Sequence, residues 1–226
     1  MEILSSPDFW IGLVKIVWIN IILSGDNAVV IALAARSLPA HQQKQAIFWG
    51  SGAAVVLRIA LTVVAAKLLE LSYLQIIGGC LLLWIGLQLL TDEENEEENA
   101  QSHSNLMAAV RTILIADLVM SLDNVIAVAA AAQGSMVLLV LGLAISIPLV
   151  IFGSTLMIKL MERFPVIVVL GAGLIGWVGG ETIMNDTALR GVLHAHPALH
   201  YAAAIAGAAF VVIAGKLLKA RQQPSA

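Results

Sequence analysis

Long apolar runs separated by short polar breaks fill the chain, and the pattern predicts seven membrane-spanning helices. About 20 apolar residues suffice to cross a bilayer as a helix. The first span runs from about Asp8 to Arg36. It opens on Ser6-Pro7-Asp8, a capping hydroxyl followed by proline and an acid at the first helical positions, and Leu38-Pro39-Ala40 ends it. A short loop with His41 and Lys44 leads to a second span, Ala46 to Leu69, with Arg58 near its middle. The third, Tyr73 to Leu90, enters the acidic block Asp92-Glu93-Glu94-Asn95-Glu96-Glu97-Glu98. A fourth covers Leu106 to Ala132, and Gln133-Gly134-Ser135 turns into a fifth, Met136 to Met161, interrupted by Pro148. Phe164-Pro165 opens the sixth, which ends at Gly180-Glu181. A polar segment, Asn185 to His200, precedes the last span, Tyr201 to Leu218.

Composition narrows the class. Hydrophobic residues make up 60% and charged residues 12%, and mean hydropathy is +0.93. A soluble domain is about one-quarter charged, so this is an all-α, polytopic membrane protein. The net charge of -3 reflects one block, residues 92–98. With Cys80 alone, no intramolecular disulfide can form. The N-terminus predicts no cleavable leader, since Glu2 and Asp8 stand where a basic region belongs and the apolar run continues. No phosphate-binding loop, dinucleotide fingerprint or zinc-finger spacing is present, and no basic patch suits nucleic acid.

Two stretches near-duplicate one another. Asn20-Ile-Ile-Leu-Ser24-Gly25-Asp26-Asn27 returns 97 residues later as Asp117-Leu-Val-Met-Ser121-Leu122-Asp123-Asn124. The likeness extends outward. Gly52-x5-Arg58-Ile59 matches Gly142-x5-Pro148-Leu149, and Gly78-x5-Trp84-Ile-Gly86 matches Gly171-x5-Trp177-Val-Gly179. The repeating unit is therefore three helices. An odd number of spans forces the second copy in upside down, as in many secondary transporters. The expected division is residues 1–91, a first repeat; 92–105, an acidic cytoplasmic linker; 106–184, a second, inverted repeat; and 185–226, an extracytoplasmic loop with a seventh helix. With the N-terminus outside, Arg36, Lys44, Arg111, Lys159, Arg163, Lys216, Lys219 and Arg221 gather in the cytoplasm. Lys15, Lys67 and Arg190 remain opposite, which fits the positive-inside rule.

The doubled motif holds the candidate chemistry. Ionisable side chains inside a membrane are expensive and mark ion pathways or sites. On a helix at about 100° per residue, Asn20, Ser24 and Asn27 form one stripe, as do Asp117, Ser121 and Asn124. Asp26 and Asp123 lie about 120° off those stripes. Either the helix unwinds at Gly25, as broken transporter helices do at ion sites, or the aspartates face another neighbour, with Arg58 the first candidate. Carboxylates, amides, hydroxyls and freed carbonyls are hard oxygen donors suited to Mg²⁺, Ca²⁺ and Mn²⁺. Asp26, Asp117 and Asp123 against Arg58 leave two negative charges, enough for one divalent cation. The blander reading, Asn and Ser bridging helices, covers Ser24, Ser121 and Asn20 but not three aspartates. Elsewhere, Glu181 reads as a solvated helix end. His194, His196, His200 and Asp186 read as an ordinary polar loop, block 92–98 as a solvated linker, and the glycines as sites of close helix packing.

Ser24-Gly-Asp-Asn27-Ala-Val, Ser121-Leu-Asp-Asn124-Val-Ile, Arg58-Ile59 and Gly78-Gly79 together resemble the TerC family of integral membrane proteins, in its YjbE-like bacterial branch, across about residues 8–220. The resemblance implies manganese efflux or metal delivery to exported proteins at the translocon, with older links to tellurium resistance. It assigns metal-site roles to Asp26, Asn27, Asp117, Asp123 and Asn124. Asn20 stands where the second copy has Asp117. The expectation is a secondary transporter in the bacterial cytoplasmic membrane, exporting a hard divalent cation, Mn²⁺ first, by alternating access. It needs no resident cofactor, and Arg58 is its counter-ion. Alternatives are a Ca²⁺/H⁺ antiporter and a scaffold for protein export. An intramembrane aspartyl protease fits less well, because no Tyr-Asp or Gly-x-Gly-Asp surrounds Asp26 or Asp123.

Overall fold

A computed structural model describes residues 7–23, 25–68, 71–91, 103–132 and 135–222. Every regular element is helical. They are α1 (Pro7–Leu23), α2 (Gly25–Ala35), α3 (Ala40–Leu68), α4 (Leu74–Thr91), α5 (His103–Ala132), α6 (Met136–Arg163), α7 (Val166–Met184), a 3₁₀ turn (Thr187–Leu189), α8 (Arg190–Ala195) and α9 (Ala198–Gln222). Among the described residues five helices are long and apolar enough to cross a bilayer: Ala40–Thr62 of α3, α4, α6, α7 and Ala198–Arg221 of α9. Helices α1 and α2 are shorter and apolar, and α5 is 30 residues long.

Local chemistry explains the boundaries. The expected first span is described as α1, up to Leu23, and α2, from Gly25; Ser24 between them lies outside the described residues, as does the acidic block 92–98. Helix α3 begins at Ala40, inside the expected loop, because proline fits a first helical turn; the Gln43 N–H bonds the Pro39 carbonyl at 2.9 Å. Helix α5 likewise begins at His103, inside the expected linker. Ser135 caps α6, its hydroxyl accepting from the Leu138 N–H at 3.3 Å. Pro148 sits within α6 without ending it, as membrane helices tolerate.

Close contacts give the packing directions. Gly12 meets Leu138, Gly142 meets Ile16 and Gly153 meets Ala28, so α1 and α2 run parallel to α6. Gly50 meets Ile113 and Arg58 meets Ser121, so α3 and α5 are parallel. Gly79 abuts Gly179 and Gly86 meets Ile175, so α4 and α7 are antiparallel. Helix α9 lies antiparallel on α7 through Gly176 against Gly207 and Gly180 against Ala203. A Cβ at Gly176 would stand 2.5 Å from the Gly207 carbonyl oxygen, so only glycine permits this approach. Small residues let membrane helices pack backbone to backbone.

Helix α2 occupies the centre, where Asn27 through Ala35 are all buried. Its Val29–Ala35 stretch joins Leu82, Ile85, Ile113, Met120, Ala172 and Ile175 in the main core. The periphery exposes Trp10, Trp18, Phe152 and Phe210, apolar side chains suited to lipid.

Candidate functional site

The α3–α5 interface is apolar at Leu61, Leu122 and Val125, yet a charged group is set into it. Asp117 and Ser121 lie one turn apart on α5, a spacing that puts them on one face, and Arg58 of α3 meets both. The Arg58 Nε donates to Ser121 Oγ at 3.0 Å, and Nη2 donates to Asp117 Oδ1 in a close ion pair. Ser121 Oγ donates in turn to Asp117 Oδ2 at 3.1 Å. The three side chains form a closed ring, all of them buried. One turn along α3, the Thr62 hydroxyl bonds the Arg58 carbonyl at 2.7 Å. A buried ion pair adds little net stability, but removing one partner costs about 3–5 kcal/mol because the other charge is left uncompensated.

The first copy of the motif is built differently. Asp26 stands in the first turn of α2. The Asn27 N–H donates to Asp26 Oδ1 at 2.8 Å, the kind of local acceptor that a helix start supplies to N–H groups lacking a preceding carbonyl. Asp26 is half-buried and lies within electrostatic reach of both Arg58 and Asp117. Asn27 is buried at 3% exposure. Gly25 leaves open space, since a Cβ there would meet nothing within 4 Å.

The structure thus brings Asp26, Arg58, Asp117 and Ser121 into one neighbourhood, with Arg58 paired to Asp117 and not to Asp26. Asn124 lies one turn beyond Ser121 on α5, half-buried. The side chains of Asn20 and Asp123 lie outside the described residues. Among the described residues no cluster of three His, Cys, Asp or Glu side chains could hold a metal.

A second polar centre had only a faint sequence signal. Asp186 follows α7 and is fully buried. It accepts from the N–H groups of Tyr73 at 2.9 Å, Gln75 at 3.0 Å, Ile76 at 3.3 Å and Ala188 at 2.8 Å. One carboxylate therefore caps its own 3₁₀ turn and, across the fold, the start of α4. Burial pushes its carboxyl up, but the four N–H groups outweigh that and hold it below the usual carboxylate range. Tyr73 adopts φ 71°, a left-handed geometry that costs a non-glycine residue about 1–2 kcal/mol; its bond to Asp186 helps hold it there. An acid directly before Thr187 is a capping pattern, but nothing in the sequence pointed it at α4. Nearby, Glu181 Oε1 lies 3.6 Å from His200 Nε2, joining α7 to α9. His196 is exposed, and the His194 side chain lies outside the described residues.

Comparison with known proteins places the chain. A family model described as "Integral membrane protein TerC family" matches residues 5–223. The uncharacterized membrane protein YjbE of Bacillus subtilis is 45% identical over 207 residues, covering 92% of this chain and 94% of that protein. YkoY of the same organism is 26% identical over 204 residues, 81% of this chain and 62% of its own length. The UPF0053 inner membrane protein YgdQ of Escherichia coli K12 is 23% identical over 200 residues, 81% and 84% of the two chains. No solved structure matches. The chain belongs to the TerC family of integral membrane proteins.

Proposed function

We propose that this member of the TerC family is a secondary transporter that exports a hard divalent cation, Mn²⁺ first, from the bacterial cytoplasm. The observation that carries the proposal is the unequal use of acids at the doubled motif. Arg58 neutralises Asp117, which leaves Asp26 and Asp123 as two further acids of the doubled motif. Carboxylates at membrane depth are costly unless they meet cations. One divalent ion balances them, and the oxygen-only donors around them suit Mn²⁺ over softer metals. Asn27, Asn124 and Asn20 would supply neutral oxygens.

Packing supports a pair of inverted three-helix repeats with α9 appended. The first helical unit of each half runs parallel to the second helix of the other half, α1–α2 on α6 and α5 on α3. The third helices, α4 and α7, meet antiparallel. Repeats of opposite membrane orientation require this combination, whereas repeats of the same orientation would reverse each direction. Arg36, Lys44, Lys159, Arg163, Lys216 and Arg221 fall towards one end of the bundle, the end read as cytoplasmic. Transport then consists of rocking one half against the other about the motif, exposing Asp26 and Asp123 to each side in turn.

The test is metal flux in proteoliposomes of purified protein, across Mn²⁺, Ca²⁺, Fe²⁺ and Mg²⁺, with and without a pH gradient. Mn²⁺-selective flux is the expected result. Absence of flux for every metal overturns the proposal.

A further inference from the structure

A groove runs along the lipid-facing side of the α7–α9 contact, at some distance from the doubled motif. Its volume is about 550 Å³, within the range of about 300–1,000 Å³ that small-molecule pockets show. Val169 to Trp177 of α7 form one wall and Ile205 to Ile213 of α9 the other. Gly173, Ala208 and Ala209 make it deep because they have little or no side chain. Nine residues of helix span about 13 Å, less than half of the hydrocarbon thickness of about 30 Å. The groove is therefore no longer than one leaflet is deep.

Its ends differ in charge. The lining is apolar apart from the indole N–H of Trp177. Lys216 follows one turn after Val212 on the same face of α9 and is exposed. The contact of Gly173 with Val212 sets the antiparallel register, so Lys216 lies level with the beginning of α7. Arg163 precedes that helix by three residues, exposed, with its guanidinium 5.8 Å from the Phe164 ring centroid. An apolar slot of this length, with two exposed cations beyond the end where α7 begins, matches a lipid that has an acyl chain and a negative phosphate.

We infer that the α7–α9 groove binds one anionic phospholipid, its acyl chain along Gly173 and Ala209 and its headgroup phosphate at Lys216 and Arg163. Lysine suits this place, because its stem covers apolar surface while the ammonium reaches headgroup level. A bound chain would also fill the lipid face of a helix pair held by glycine contacts.

Native mass spectrometry of the purified full-length chain, with phosphatidylglycerol and phosphatidylcholine added in equal amounts, tests the inference. The expected result is one retained lipid per chain with phosphatidylglycerol strongly preferred, roughly fivefold for each basic residue. Lys216→Gln with Arg163→Gln should erase the preference yet leave weak retention of either lipid. Ala209→Phe, an exposed position that a ring can occupy without disturbing the core, should abolish retention of both. Far-ultraviolet circular dichroism checks that each variant stays folded. Equal retention of the two lipids by the wild type overturns the proposal, and so does retention that Ala209→Phe leaves unchanged. A dimer that Ala209→Phe disperses would assign the groove to a second copy and overturn it as well.

Discussion

The two copies of the motif share a sequence pattern and differ in how each treats its helix and its charge. Around Asp26 the described helices are α1, up to Leu23, and α2, from Gly25 with an aspartate in its first turn, and Ser24 between them lies outside the described residues. Around Asp123 the chain is one helix that runs unbroken through Asp117, Ser121 and Asn124. Gly25 accounts for part of the contrast. Leu122, its counterpart, is buried against Leu61 and Val125, so the second copy is fastened by packing where the first is free. Charge follows the same division. Asp117 of the second copy pairs with Arg58 of α3, whereas Asn20 stands at the place matching Asp117 and Pro148 at the place matching Arg58. Both members of the pair are missing together, so the asymmetry conserves charge balance. The Arg58–Asp117 pair thus fastens α3 to α5, whereas Gly25 borders open space.

The largest expected effect tests whether the copies act jointly. Asp26→Asn and Asp123→Asn are each expected to reduce Mn²⁺ flux in proteoliposomes by at least about tenfold, the scale of one lost charge interaction of about 1.4 kcal/mol. If only one of them matters, the site belongs to a single copy and the proposed balance of two carboxylates against one cation fails.

The next effect concerns the staple. Arg58→Met should lower stability in detergent by about 3–5 kcal/mol, because Asp117 is left buried without its partner. The double variant Arg58→Met, Asp117→Asn puts in the second copy the asparagine that the first has at Asn20 and should recover most of that loss. Thermal or denaturant unfolding reads both. A double variant as unstable as the single one would mean that Arg58 acts through packing and not through charge.

These contrasts also show what was legible in advance. Repetition, hydropathy and the punctuation at Pro39, Ser135 and Pro165 revealed an all-helical chain and most of its helices, since those signals are local. The pairing of Arg58 with Asp117 instead of Asp26 was not legible, because two acids of equal depth differ only in which helix lies beside α3. That is a matter of tertiary packing. The start of α3 at Ala40 was missed because polar residues at a helix end look like loop. Asp186 escaped for a related reason: its own turn is local, but three of its four N–H partners begin a helix more than 100 residues away.

Asp186 yields a smaller effect that extends the contrast between the halves. Helix α4 starts on a carboxylate lent by the far end of the fold, whereas α7, its counterpart, starts at Pro165 with no side-chain cap. Asp186→Asn should cost about 1–2 kcal/mol, as lost caps do. Because the folded carboxyl is held below its ordinary value, its contribution is complete above the unfolded value of about 3.9 and is lost as pH falls through the lower folded value. Wild-type stability should therefore decline on the acid side of about pH 4, and the variant should lack that part of the decline. Unfolding midpoints measured from pH 3 to pH 7, roughly the interval around that value, decide it. Parallel curves for the two proteins would remove Asp186 from the linkage.

The smallest structural change is the most direct probe of the junction of α1 and α2. At Gly25 an added Cβ meets open space, and alanine is a better helix former than glycine by about 1 kcal/mol. Gly25→Ala should thus leave stability unchanged or raise it by at most about 1 kcal/mol. If the junction of α1 and α2 must flex for the two halves to rock, the same substitution should slow Mn²⁺ flux severalfold while leaving equilibrium Mn²⁺ binding intact, because no oxygen donor is altered. Leu122→Gly, the reciprocal exchange, tests the opposite copy. It removes a buried side chain, at about 2–5 kcal/mol, and places glycine inside a continuous helix. The two substitutions therefore separate flexibility from packing. Gly25→Ala reads the first with the fold intact, and Leu122→Gly shows how much stability the second copy draws from having leucine there. Flux unchanged in Gly25→Ala would make the junction a fixed feature of the site, with the motion elsewhere in the bundle.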